Sequence, residues 1–200
     1  MLDYVKELNQ FFEVQDNYLS VQDNNARKQL HIEDSAWPSE PLLNFLNTVK
    51  PVTDNDFLIK IEESSKQRVQ PPHSDGCKGF YTCLIPLRWY GDVYTIEYHQ
   101  TYNGKNNEAG VKYRPTGNTY YQDEWLSEDT QKISGLIDKD FDRSFFEKYL
   151  KHIVDYADLY GLTVNKMHKW TMGEPIVFPC EVLHSGCAYQ VVKRWLVCHW

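Results

Sequence analysis

Two hundred residues support one domain with a core of its own, and a composition of 42% hydrophobic and 14% aromatic residues excludes wholesale disorder. A formal net charge of -7 disfavours a partner that must be coated through its phosphates, so nucleic acid is an unexpected ligand, although bulk charge leaves room for a local basic groove. The five cysteines are odd in number and contain no CxxC pair, which argues against a disulfide scaffold and for reduced thiols in a cytoplasmic protein.

The elements are predicted in chain order as follows. Apolar residues at Leu2, Val5, Leu8, Phe11 and Phe12 have helical spacing. The start of the chain lacks the basic and apolar run of a signal peptide, and no stretch is long and apolar enough to span a bilayer, so no membrane association is expected. A polar segment from Asp16 to Gln29 is expected to wrap the surface, and Pro41 can open a short helix through Leu46. From residue 57 the texture becomes that of strands. Phe57–Ile61, Phe80–Leu87 and Val93–Tyr102 are apolar or alternating runs, and Val69–Asp75 passes through Pro71 and Pro72 as an edge would. Asn103-Gly104 is a turn signal, and residues 105–130 read as a long excursion.

A helix is predicted next, capped by Asp140 or Asp142, with an apolar stripe from Phe145 to Tyr160 and Gly161 at its C-terminal stop. Strands resume at Leu162–Trp170, at Ile176–Phe178 after the Gly173-Glu174-Pro175 turn, at Glu181–His184 and at Val191–Trp200. Many short strands with one inserted helix and helices in front point to a mainly β fold, a jelly roll or double-stranded β-helix. The whole chain is read as a single domain, with residues 1–56 a helical buttress and surface segment and 57–200 the jelly-roll core.

Chemistry concentrates in His73-Ser74-Asp75 and in His184. Residues two apart on a strand point to one side, so His73 and Asp75 can reach the same ion. Two imidazoles and a carboxylate on one face of a metal leave other positions open, an arrangement suited to iron(II). Arg194 stands ten residues after His184 between Val191-Val192 and Trp195-Leu196-Val197, so it reads as buried and in need of an anionic partner. Of the histidines, only His184 has an arginine or lysine ten residues on, which makes it the distal candidate; His168 and His199 read as structural.

The HxD triplet, the approach Gly173-Glu174-Pro175-Ile176-Val177-Phe178-Pro179 to His184, and Arg194 together resemble the iron(II)/2-oxoglutarate-dependent oxygenase superfamily, including its prolyl-hydroxylase-like members. The resemblance covers about residues 57 to 200. It implies a double-stranded β-helix core, iron(II) on His73, Asp75 and His184, and 2-oxoglutarate with its far carboxylate on Arg194. It also implies dioxygen as co-substrate, ascorbate as an accessory reductant, and hydroxylation of a peptidyl or free amino acid or a small molecule, coupled to succinate formation. The serine or threonine that such proteins often carry two after the arginine is Leu196 here, so a second oxoacid contact falls to Thr82, Tyr81 or Thr95, with Thr82 the choice. The tyrosine that often precedes HxD is replaced by Gln70-Pro71-Pro72. Related halogenases lack the carboxylate, so Asp75 implies hydroxylation rather than halogenation. Aromatics from Trp89 to Trp125 read equally as a substrate-facing wall or as cover for the barrel. Two rival readings stay open: a cupin-type metalloenzyme without an oxoacid, and a non-catalytic jelly-roll binding protein.

Overall fold

The computed structural model describes residues 3–14, 20–22, 27–31, 44, 58–65, 70–76, 80–103, 133–189 and 192–199. The expected helix after Pro41 and the excursion over 105–130, with Tyr113, Tyr120, Tyr121 and Trp125, lie outside the described residues.

Helix α1 spans Asp3–Val14 and buries Tyr4, Val5, Leu8 and Phe12 along one stripe, with Asp3 in the first turn where the helix dipole favours a carboxylate. Among the described residues ten strands follow: β1 Ser20–Gln22, β2 Arg27–His31, β3 Leu58–Ser64, β4 Tyr81–Arg88, β5 Tyr94–Tyr102, β6 Ile133–Ser134, β7 Val164–Lys169, β8 Ile176–Pro179, β9 Val182–Gly186 and β10 Lys193–His199. They form two antiparallel sheets. One has the order β1-β2-β3-β10-β4-β8; the other centres on β5, which pairs with β6, β7 and β9. This is the expected mainly β, double-stranded β-helix architecture. The surface segment read between Asp16 and Gln29 is partly strand instead: β1 and β2 extend the first sheet through pairs such as Leu30 with Ile61.

Side-chain alternation divides the first sheet into two faces. Ile59, Ile61, Cys83, Ile85, Leu196 and Cys198 turn outward and are covered by α1, and each is at most 2% exposed. A fully buried leucine or isoleucine of this kind contributes about 1.5–3 kcal/mol. Lys60, Thr82, Trp195, Val197 and His199 turn inward, toward the second sheet. Across the gap, Thr95, His184 and Gly186 face them, while Ile96 and Tyr98 on the far side pack against Phe141 and its neighbours.

The predicted helix after Asp140 is broken. Asp142 caps it as expected, its Oδ1 accepting from the N–H groups of Ser144 and Phe145 at 2.8 and 3.1 Å. Helix α2, Arg143–Phe145, then widens into a π-helical turn over Phe146–Leu150, and a separate 3-10 turn spans Tyr156–Leu159. His152 between them is left-handed, with φ of 70°. The break has a tertiary partner: the Ile153 carbonyl accepts from the Gln70 N–H at 2.6 Å, tying this segment to the chain just before His73. Gly161 and Gly173 take φ of 79° and 71° where the stop and the turn were predicted. Among the described residues no helix is long and apolar enough to cross a membrane.

Candidate metal centre

His73 and His184 are directly opposite one another in a single antiparallel bridge. Each exchanges its backbone groups with the other, His73 N–H to His184 O at 3.0 Å and His184 N–H to His73 O at 2.8 Å. Opposed residues of this kind present their side chains on the same face. The two rings accordingly lie 4.4 Å apart, and the Phe178 ring packs 4.6 Å from that of His184. The Asp75 N–H donates to the Cys180 carbonyl at 3.0 Å, which brings its carboxylate to the same place. One ligand atom from each of His73, Asp75 and His184 lies within 4.8 Å of the others, a group able to hold a metal ion.

The donor set fits a divalent transition metal. His184 Nδ1 lies 3.2 Å from the Val182 carbonyl and His73 Nδ1 lies 3.3 Å from that of Pro71, so a proton on each Nδ1 orients both rings through the backbone. Their Nε2 atoms are then on the carboxylate's side, 3.5 Å (His184) and 3.8 Å (His73) from Asp75 oxygens. Burial pushes the Asp75 carboxyl up, but His184, His199, His73 and the Thr82 hydroxyl outweigh it and hold it well below the usual carboxylate range. Asp75 is therefore a carboxylate, the form a metal would need, at ordinary pH.

The site sits in the wall of a cavity of about 140 Å³ between the sheets, lined also by Lys60, Thr95, Trp170, Tyr189, Lys193 and His199. At roughly 10–15 Å³ per water on this measure, that is room for on the order of ten waters, or one small metabolite.

Arg194 is elsewhere. It is 3% exposed, as its apolar neighbours predicted, but it lies on the outward face of β10, opposite Glu63 of β3. Its Nε and Nη2 atoms donate to Glu63 Oε2 at 2.9 and 2.6 Å, Nη2 donates to Glu13 Oε1 at 2.9 Å, and Nη1 donates to Asn9 Oδ1 at 2.8 Å. The guanidinium also stacks over Phe12, 4.4 Å from the ring centre. The expected ligand clamp is corrected on this point: the anionic partner of Arg194 is protein, supplied by α1 and β3.

The cation of β10 that does face the cavity, as Lys60 of β3 also does, is its neighbour Lys193, which sequence reasoning passed over. Its ammonium lies 4.8, 4.9 and 5.6 Å from the ring centres of Tyr189, Trp195 and Trp170. Gly186, two residues after His184, leaves it space: a Cβ there would come within 3.1 Å of the Lys193 Nζ. Counting in twos along β10 from any inward residue would have found it, but the sequence alone does not say which residues are inward.

Thr82 lines the cavity, and its hydroxyl donates to Asp75 Oδ2 at 2.8 Å. Thr95 also lines it and accepts from Trp170 Nε1 at 3.0 Å, whereas Tyr81 is 40% exposed on the other face of β4. His168 bonds Glu97, the cross-strand neighbour of His184, and is not among the three clustered ligands. His199 lines the cavity beside Thr82, and burial pushes its ring below the ordinary histidine pKa.

No family model and no curated protein matches the sequence. Among solved structures, the chain is similar to oxalate oxidase in complex with the substrate analogue glycolate, at 9% identity over 90% of this chain and 55% of that one, with a TM-score of 0.37. It is similar also to Peruvianin-I, a cysteine peptidase from Thevetia peruviana latex, at 8% identity over 90% and 65% of the two chains and a TM-score of 0.37. A mutant L-ribose isomerase from Acinetobacter sp. DL28 in complex with L-ribose matches at 11% identity over 86% and 58%, with a TM-score of 0.33. The chain thus spans between 55% and 65% of the length of these structures.

Proposed function

We propose that the chain is a non-haem iron(II) oxygenase that uses 2-oxoglutarate to hydroxylate a small molecule or an amino-acid side chain. The observation that carries this reading is the His73, Asp75 and His184 cluster in the wall of a cavity of metabolite size. A facial set of two imidazoles and one carboxylate leaves coordination positions for a chelating oxoacid and for dioxygen. Bound there, iron(II) would activate dioxygen, which is the oxidant, with the oxoacid giving up two electrons as it is decarboxylated to succinate and carbon dioxide and the substrate giving up the other two.

The protein's own residues divide the remaining work. Asp75 stays charged, and the Val182 and Pro71 carbonyls orient the two rings. Lys193, in place of Arg194, is assigned to the far carboxylate of the oxoacid, as a cation on the cavity wall beside β9. Leu84, Ile153, Phe178 and Val197 give the cavity apolar walls that restrict water.

The outward Arg194 favours a second reading, a cupin-type metalloenzyme that needs the metal but no oxoacid. One titration separates the two. Anaerobic iron(II) with 2-oxoglutarate gives the first reading a visible charge-transfer band, absent in His184→Ala, and succinate once air is admitted. Lys193→Met raises the 2-oxoglutarate concentration needed by roughly tenfold or more, the loss of one charge-assisted contact. Metal binding with neither band nor succinate leaves the oxoacid-free reading standing.

A further inference from the structure

His199 lines the cavity wall but is not one of the three clustered side chains His73, Asp75 and His184. It is the register partner of Thr82 across β10 and β4. Its Nδ1 lies 3.2 Å from Thr82 Oγ1, and the Thr82 hydroxyl donates to Asp75 Oδ2 at 2.8 Å. A hydroxyl has one proton and two lone pairs. With that proton on Asp75, Thr82 can only accept from the ring, so the His199 proton is on Nδ1. Cys180 Sγ, 3.3 Å away, fills the second acceptor position. The hydrogen bonds therefore run in one direction, from imidazole N–H to hydroxyl to carboxylate, and each polarises the next.

Resting on the metal reading above, we propose that His199 is a positioning residue that acts through Thr82 to hold the Asp75 carboxylate in its metal-ready orientation. Asp75 lies outside the named strands and its backbone N–H is held by the Cys180 carbonyl, so its side chain gains an anchor from a rigid strand. Thr82 supplies the contact, and His199 keeps the Thr82 hydroxyl from turning away. A ligating carboxylate is ordinarily tuned by such outer partners, and losing one costs 10- to 100-fold in metal affinity.

The test uses cobalt(II) as a spectroscopic metal probe on the full chain, reading both its dissociation constant and its visible ligand-field bands. His199→Phe keeps the ring and loses the donor; it is expected to weaken binding by roughly 10- to 100-fold and to shift the bands. His199→Asn, which keeps an N–H near the Nδ1 position, restores most of the affinity and the native bands. Thr82→Val gives a loss like that of His199→Phe, and the double variant is no worse than Thr82→Val alone, because both interrupt one chain. Additive losses, or His199→Phe binding within about twofold of the natural chain, overturn the inference while leaving the metal centre intact. A natural chain that binds no cobalt(II) overturns the metal reading and this inference together.

Discussion

Lys193 and Arg194 are adjacent in β10, and the pleat sends them to opposite sides of the sheet. Arg194 enters a network with Glu63 and Asn9 under α1, and Glu63 is itself mostly buried. Glu13 adds less, since its side chain is 59% exposed and its ion pair is screened. Replacing Arg194 by methionine leaves the Glu63 carboxylate without its principal partner, at a cost of about 3 kcal/mol. Urea unfolding of Arg194→Met should show that loss while cobalt(II) affinity is unchanged. Lys193→Met should do the reverse, changing oxoacid binding and leaving stability nearly alone. An Arg194→Met variant as stable as the natural chain would remove the structural role given to this residue here.

At the scale of elements, α1 is the piece that closes the outer face of the first sheet. Tyr4 and Cys83 meet at that junction, and the Tyr4 hydroxyl donates to the Gly173 carbonyl in the β7–β8 turn. Burial pushes the Cys83 thiol from 9.0 up to about 12, and burial with the Cys83 charge pushes the Tyr4 phenol from 10.0 up to about 12. Both groups hold their protons more tightly folded than unfolded. Their contribution is therefore complete below pH 9, falls as pH rises past the unfolded values of 9.0 and 10.0, and is gone above about 12. Urea midpoints measured from pH 8 upward should decline from about pH 9 in the natural chain, and the decline should be shallower in Cys83→Ala, where the buried thiols of Cys198 and Cys187 still contribute. A flat profile through pH 11 would contradict the packing of α1 on this sheet.

At the scale of the whole molecule, a metal held by this cluster would couple to folding stability. Residues 73 and 75 and residue 184 are separated by more than a hundred positions, and the unfolded chain has no reason to hold them together. A metal that binds the folded state alone stabilises it by about 2.7 kcal/mol at a hundredfold excess over its dissociation constant. Cobalt(II) should raise the Tm of the natural chain, a chelator should reverse the rise, and Asp75→Ala should abolish it. A Tm indifferent to cobalt(II) in the natural chain would show that the cluster does not act as a site.

Much of this was determined by the sequence alone. The strand runs, the Asp142 cap, the stop at Gly161, the turn at Gly173 and the three clustered residues are local or pairwise patterns: alternation, capping chemistry, and an HxD pair two apart on an extended segment. Three features were decided only by tertiary structure. The predicted helix from Asp142 to Tyr160 breaks at His152 because Ile153 gives its carbonyl to Gln70, a partner 83 positions away in the chain. The polar stretch before Gln29 contributes β1 and β2 because β3 offers it an edge. Arg194 faces out and Lys193 in because β10 is central, with apolar side chains on both faces. Its own alternation is then silent about direction, and pairing with β3 and β4 determines which of two neighbouring cations reaches the cavity.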